Sequence, residues 1–86
     1  MTIEIIEDVV RNTVTRITRK DISQFTRTTT FKDLEADSLD IVQILVALED
    51  HFDIEVVDEE LESITNMGDF IDYINRKVAE KTARSA

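Results

Sequence analysis

Residues 37–52, DSLDIVQILVALEDHF, read as one helix with two different apolar faces. Wound at roughly 100° per residue, Ile41, Ile44, Leu45, Leu48 and Phe52 fall on one narrow stripe, the pattern of a helix packed on a core. Leu39, Val42 and Val46 lie roughly 100 to 160° from Ile41 and form a second stripe, and one small bundle can hardly bury both. Asp40, Gln43, Glu49 and Asp50 flank the second stripe with polar groups, as where apolar side chains meet a partner inside a charged rim. Two readings stay open: a partner docks on this face, or the preceding loop folds over it, and the two can coexist. The helix has a clear start, with Asp37 as N-cap and Asp40 placing negative charge near the positive end of the helix dipole.

Working outward, residues 2 to about 17 carry Ile3, Ile6, Val10, Val14 and Ile17 at three- and four-residue steps, which predicts a first helix. The stretch from 18 to 37 loses this periodicity and becomes rich in threonine and charge. It reads as a long ordered loop pinned by Ile22, Phe25, Phe31 and Leu34, with a strand over 25–31 as the lesser reading. After DIEVV, the trio Asp58, Glu59 and Glu60 opens a short third helix with Leu61 and Ile64 facing inward. Thr65 or Asn66 caps a last helix whose buried stripe is Met67, Phe70, Ile71, Ile74 and Val78. The expected fold is all-α, a four-helix bundle with three longer helices, one short third helix and a long loop between the first two. One domain covers residues 1–80, and the tail 81–86 has nothing to bury and is expected to fray.

Composition limits what the chain can do. Its 86 residues suffice for one thin-cored domain, and 42% hydrophobic with 34% charged residues is an ordinary globular balance. Without cysteine there is no disulfide, thiolate zinc site or cysteine nucleophile, which fits a reducing compartment. Charges interrupt the N-terminal apolar residues from position 4, unlike a signal peptide, and no apolar run approaches membrane-spanning length. A cytoplasmic location is expected. A net charge of −9 repels nucleic acid and anionic lipid and favours proteins with basic patches, and it also serves plain solubility. Membrane insertion is not expected. The single glycine, Gly68, rules out a Gly-rich phosphate loop.

Ser38 stands in the first turn of the decisive helix, where free backbone N–H groups and the dipole favour an anion on its hydroxyl; helix initiation alone also accounts for a serine there. No catalytic constellation accompanies it. His51 lies thirteen residues further along, roughly 20 Å at 1.5 Å per residue, too far to activate Ser38. A lone histidine makes no metal cluster. Asp33, Glu35 and Asp37 alternate like the start of a calcium loop, but Ser38 stands where glycine is required and Ile44 where the bidentate glutamate is required. Neither catalysis nor a metal site is expected.

Residues 33–74, DLEADSLDIVQILVALEDHFDIEVVDEELESITNMGDFIDYI, closely resemble the acyl carrier proteins of fatty acid and polyketide synthesis. The joint pattern carries the resemblance: Asp37, Ser38 and Leu39; Leu48, Glu49 and Phe52; Asp58, Glu59 and Glu60; Asp72, Tyr73 and Ile74. It implies that Ser38 bears 4′-phosphopantetheine, taken from coenzyme A by a phosphopantetheinyl transferase, and that the attached thiol holds acyl groups for partner enzymes. A tethered cargo has a raised effective concentration at each partner. The resemblance further implies a monomer that docks acyl-transferring and synthase enzymes bearing basic patches through Asp37, Leu39, Asp40, Val42, Val46 and Glu49. It implies an acyl pocket drawn from Phe31, Ile44, Leu48, Val56, Leu61, Ile64 and Phe70.

Some positions depart from the pattern of fatty-acid-synthesis carriers. Glu35 replaces a usual glycine, Gln43 a usual glutamate, and His51 interrupts an acidic run. Leu61 and Phe70 stand where small residues usually line the pocket, which leaves less room and suggests a dedicated, pathway-specific carrier. The rival readings are an unmodified helical adaptor that uses the same docking face, and a peptidyl or aminoacyl carrier, which usually shows glycine before the serine and a less acidic surface.

Overall fold

A computed structural model describes residues 2–85, with side chains described as far as residue 81. Helix α1, Ile3–Thr18, starts where Thr2 turns extended and its Oγ1 accepts the Ile5 N–H. Ile6, Val10 and Val14 are fully buried, whereas Ile3, at the outer end of the same stripe, is 41% exposed. Arg19 ends the helix in the left-handed conformation, its N–H bonded to the Thr15 carbonyl. Helix α2, Ser38–Phe52, buries Ile44, Leu45, Leu48 and Phe52, and Asp53 closes it with a second left-handed residue. Helix α3, Asp58–Leu61, is a single turn.

Helix α4, Met67–Ser85, is capped by Asn66, whose Oδ1 accepts the Asp69 N–H at 2.8 Å. Met67, Phe70, Ile71, Tyr73, Ile74 and Val78 are buried along it, each large apolar side chain contributing roughly 1.5–3 kcal/mol of transfer free energy. α1 packs on both α2 and α4, and Lys81 of α4 reaches Asp53 Oδ2 at 2.9 Å and so ties the far ends of α2 and α4 together. The result is the all-helical bundle of three longer helices and one short one. α4 continues to Ser85, past the domain edge expected at residue 80, and Ala86 lies outside the described residues.

The loop between α1 and α2 differs in part from expectation. Phe25 and Leu34 are buried and Phe31 partly so, but Ile22 is 50% exposed. Ile22 belongs to a 3₁₀ turn, Ile22–Gln24, held by a reciprocal capping box between Asp21 and Gln24, so local polar bonds rather than apolar burial fix that corner. No strand forms over 25–31; among the described residues that stretch is turn and irregular backbone. It is held by hydrogen bonds to the start of α4: Met67 N–H to Thr29 O at 2.7 Å and Gly68 N–H to Arg27 O at 2.8 Å. A Cβ on Gly68 would stand 2.9 Å from that Arg27 oxygen, so the lack of a side chain is what lets loop and helix meet. Arg27 adds an ion pair to Asp72 at 3.0 Å.

Candidate functional site

The start of α2 is capped by two aspartates rather than by the serine between them. Asp37 Oδ1 accepts the Asp40 N–H at 2.8 Å, and Asp40 Oδ2 accepts the Asp37 N–H at 3.3 Å. The Ile41 N–H goes to the Asp37 carbonyl at 3.0 Å. This leaves the N–H groups of Ser38 and Leu39 without helical acceptors at the positive end of a 15-residue helix. Ser38 is exposed, and its hydroxyl takes no part in the capping box. Helix initiation therefore does not account for it.

The second stripe stays open to solvent. Leu39 is 65%, Val42 54% and Val46 55% exposed, so the loop between α1 and α2 does not cover them. Asp37, Gln43 and Asp50 are exposed around this stripe. Two expected rim residues also have structural work: Asp40 completes the capping box, and Glu49 Oε2 accepts the Val56 N–H at 3.2 Å, fastening the strap 54–57 to α2. Residues 33–75 hold fourteen of the nineteen acidic residues and no lysine or arginine, so the whole neighbourhood of the stripe is negative.

Beside this face a cleft of about 290 Å³ opens between α2 and α3, lined by Phe31, Ile41, Leu45, Asp58, Leu61, Glu62 and Ile64. Of the seven pocket residues expected, Phe31, Leu61 and Ile64 line it. Ile44, Leu48 and Phe70 do not: they are fully buried in the core, Phe70 edge-on behind Phe31 with ring centroids 5.4 Å apart. Val56 does not line it either; its side chain is partly buried against the core. Ile41 and Leu45 stand in their place, at the margin where α2 faces α3, whereas Ile44 and Leu48 sit among the fully buried residues of the bundle. Ser38, Ile41 and Leu45 follow at steps of three and four, so the cleft opens along the same side of α2 as the serine.

α3 is held against α4 by Tyr73. Its hydroxyl accepts the Val57 N–H at 3.1 Å and donates to Glu60 Oε1 at 2.9 Å, while Lys77 Nζ reaches the same oxygen at 2.9 Å and Arg76 approaches Oε2. The Lys77 bond, then that of Tyr73, holds the Glu60 carboxyl below its usual range. The bond to Glu60 likewise holds Lys77 above its own, and burial raises the Tyr73 phenol. Glu60 thus faces α4 while Asp58 and Leu61 face the cleft.

The family model described as a phosphopantetheine attachment site matches residues 8–74. An acyl carrier protein of Helicobacter pylori is 51% identical over 55 residues, 63% of this chain and 70% of that protein. An acyl carrier protein of Clostridium acetobutylicum is 52% identical over 48 residues, 56% of this chain and 62% of the relative, so less than two thirds of that protein's length is spanned. The solution structure of a holo acyl carrier protein from Geobacter metallireducens superposes with a TM-score of 0.78 at 31% identity, covering 90% of each chain. The chain belongs to the acyl carrier protein family.

An acyl carrier protein is a carrier and not an enzyme, and its working group is covalently attached 4′-phosphopantetheine. The residues at the start of α2 fit such a group: an exposed hydroxyl, two N–H groups without helical acceptors, and capping completed by neighbours. No described helix is long and apolar enough to cross a membrane. The parts of the carrier that sequence reasoning missed are Ile41 and Leu45 as cleft residues and Tyr73 with Glu60 as the pin of α3. A tyrosine among the apolar residues of a helix stripe needs a partner for its hydroxyl, and that requirement is the signal that could have found the second pair.

Proposed function

We propose that Ser38 is the attachment point, and that this carrier delivers acyl intermediates to enzymes of fatty acid, lipid or polyketide biosynthesis, working as a monomer in the cytoplasm. The observation that carries the reading is the exposed Ser38 hydroxyl, excluded from the capping box and set directly before the open stripe of Leu39, Val42 and Val46. When bound, 4′-phosphopantetheine supplies a thiol on a long arm that holds the acyl group as a thioester. Ser38 Oγ gains the phosphorus and gives up its proton to a base on a phosphopantetheinyl transferase, while the pyrophosphate bond of coenzyme A breaks and adenosine 3′,5′-bisphosphate departs. Asp37 and Asp40 keep the helix end in place during this exchange. Leu39, Val42 and Val46 supply apolar contact to the transferase and to acyl-transferring or synthase enzymes, and Asp37, Asp40 and Glu49 complement basic patches on them.

The test is the intact mass before and after incubation with coenzyme A, magnesium and a phosphopantetheinyl transferase. A single phosphopantetheine-sized gain is expected in the native chain and none in Ser38→Ala, whose stability stays within about 0.5 kcal/mol of the parent because the hydroxyl is exposed. No gain in the native chain, with a cognate transferase tried and prior modification excluded, would support the unmodified adaptor instead.

A further inference from the structure

A groove of about 280 Å³ lies between α1 and the end of α2 remote from Ser38, lined by Val9, Asn12, Thr13, Arg16 and His51. Four of the five are polar, and among the described residues none of their side chains has a hydrogen bond or an ion pair; His51 makes only an edge contact with the Phe52 ring at 4.8 Å. Asn12, Arg16 and His51 are exposed, but Thr13 is only 9% exposed. Its hydroxyl is not sealed in, because no fully buried side-chain oxygen or nitrogen is left unbonded among the described residues, so it opens through the groove it lines. Thr15 and Thr18 on the same helix behave otherwise: each hydroxyl turns back to donate to a carbonyl one turn earlier, at 2.8 Å. Leaving a polar group this deep without a partner costs stability until something bonds to it. No carboxylate lines the groove. Asp8, one turn before Asn12, is taken by Arg11, and Asp50, beside His51 in sequence, is outside the lining.

We propose that this groove is a binding site for a carboxylate on a short apolar stem, a second site of the carrier that does not depend on Ser38. The Arg16 guanidinium offers a planar fork of N–H donors that matches a carboxylate, and the Asn12 amide, the Thr13 hydroxyl and a ring N–H of His51 add donors around it. A cation would have to face the unpaired guanidinium and is excluded. Val9 gives the stem an apolar wall. The net charge of −9 opposes an anion at long range, but at physiological salt that field is screened beyond about 8 Å, whereas these donors act in contact. Two sources carry this chemistry, a glutamate side chain of a partner protein and a free short-chain acid, and both use the same donors.

The experiment titrates the full chain with butyrate, butyramide, inorganic phosphate or N-acetylglutamate amide at fixed physiological ionic strength. NMR follows the Arg16 Nε–H, the Asn12 side-chain amide, the Thr13 methyl and the His51 ring. Butyrate and the glutamate derivative are expected to shift all four signals along one saturating curve, and the uncharged butyramide to leave them still. Arg16→Gln is expected to weaken butyrate about tenfold, since a charge-assisted fork is lost. Thr13→Val is expected to weaken it several-fold at an unchanged thermal midpoint, because the hydroxyl has no partner within the fold. Shifts that never saturate, or that butyramide reproduces, overturn the proposal. Unaltered butyrate binding in both variants overturns it as well, and so does phosphate binding tighter than butyrate. Tighter binding of the glutamate derivative than of butyrate assigns the site to a partner's side chain, and the reverse order assigns it to a free acid.

Discussion

Glu35 holds a left-handed backbone, φ 56, three residues before Ser38, and its carboxylate pairs with Lys20 at 3.1 Å. A side chain with a Cβ is strained in that region, and the pair is too exposed to offset much of the strain, with exposed pairs worth about 0–1 kcal/mol. Asp33, Asp37 and Asp40 are close in sequence, so removing this charge also relieves repulsion. Glu35→Gly is therefore expected to stabilise the fold by about 1 kcal/mol, read as a raised denaturant midpoint at unchanged slope. A lower midpoint would show that the Lys20 pair outweighs the backbone. The sequence resemblance marked position 35 as unusual for lacking glycine, and the positive φ supplies the physical reason. Arg19 and Asp53 show the same backbone sign; both helix ends fall within a residue of where apolar spacing placed them, but the left-handed closures did not announce themselves, because glycine, their usual signal, is absent from both.

At the scale of elements, α3 is one turn long and cannot hold its place by its own hydrogen bonds. Its place depends on Tyr73, Glu60 and Lys77. Tyr73→Phe removes the partner of the Val57 N–H and of Glu60, and is expected to cost about 1 kcal/mol and to broaden the NMR signals of residues 54–62. The pH dependence follows from the direction of each shift. Glu60 is depressed in the fold, so its contribution is present above the unfolded value and fades as pH falls through and below about 4. Tyr73 and Lys77 are raised, so theirs is full below about 10 and fades above it. Glu60→Gln should thus flatten the acid limb of the stability profile and leave the native chain and the variant differing most near neutrality; an unchanged acid limb would show the pin to be idle. The three long helices were legible because apolar spacing reports burial directly. The pin and the 3₁₀ turn at Ile22 were not, because they rest on bonds between residues far apart in sequence or on polar groups that periodicity ignores.

Across the whole molecule, charge is sorted along the chain: residues 9–32 contain six lysines and arginines and one acidic residue, whereas residues 33–75 contain no lysine or arginine. A field of this kind speeds encounter with basic partners and is screened by salt. The transferase reaction is expected to slow as ionic strength rises, through weaker association rather than slower chemistry. Leu39→Ala should raise its KM by about 1–2 kcal/mol in binding terms while leaving stability within about 0.5 kcal/mol, measured by kinetics beside thermal unfolding. A KM unaltered by this change would detach the stripe from docking. The open stripe itself was legible on the helical wheel, since two apolar faces on one helix exceed what a small core can cover. Which residues line the cleft was not, because that depends on how far α3 leans over α2. The capping box has a last consequence. Because Asp37 and Asp40 secure the helix start between them, exchanging a substituent on the Ser38 hydroxyl breaks no bond of the capping box. The tip of α2 is thus a socket that can be fitted and emptied while the frame presenting it keeps its shape, and a partner reading the loaded tip meets the same frame as one reading the bare tip.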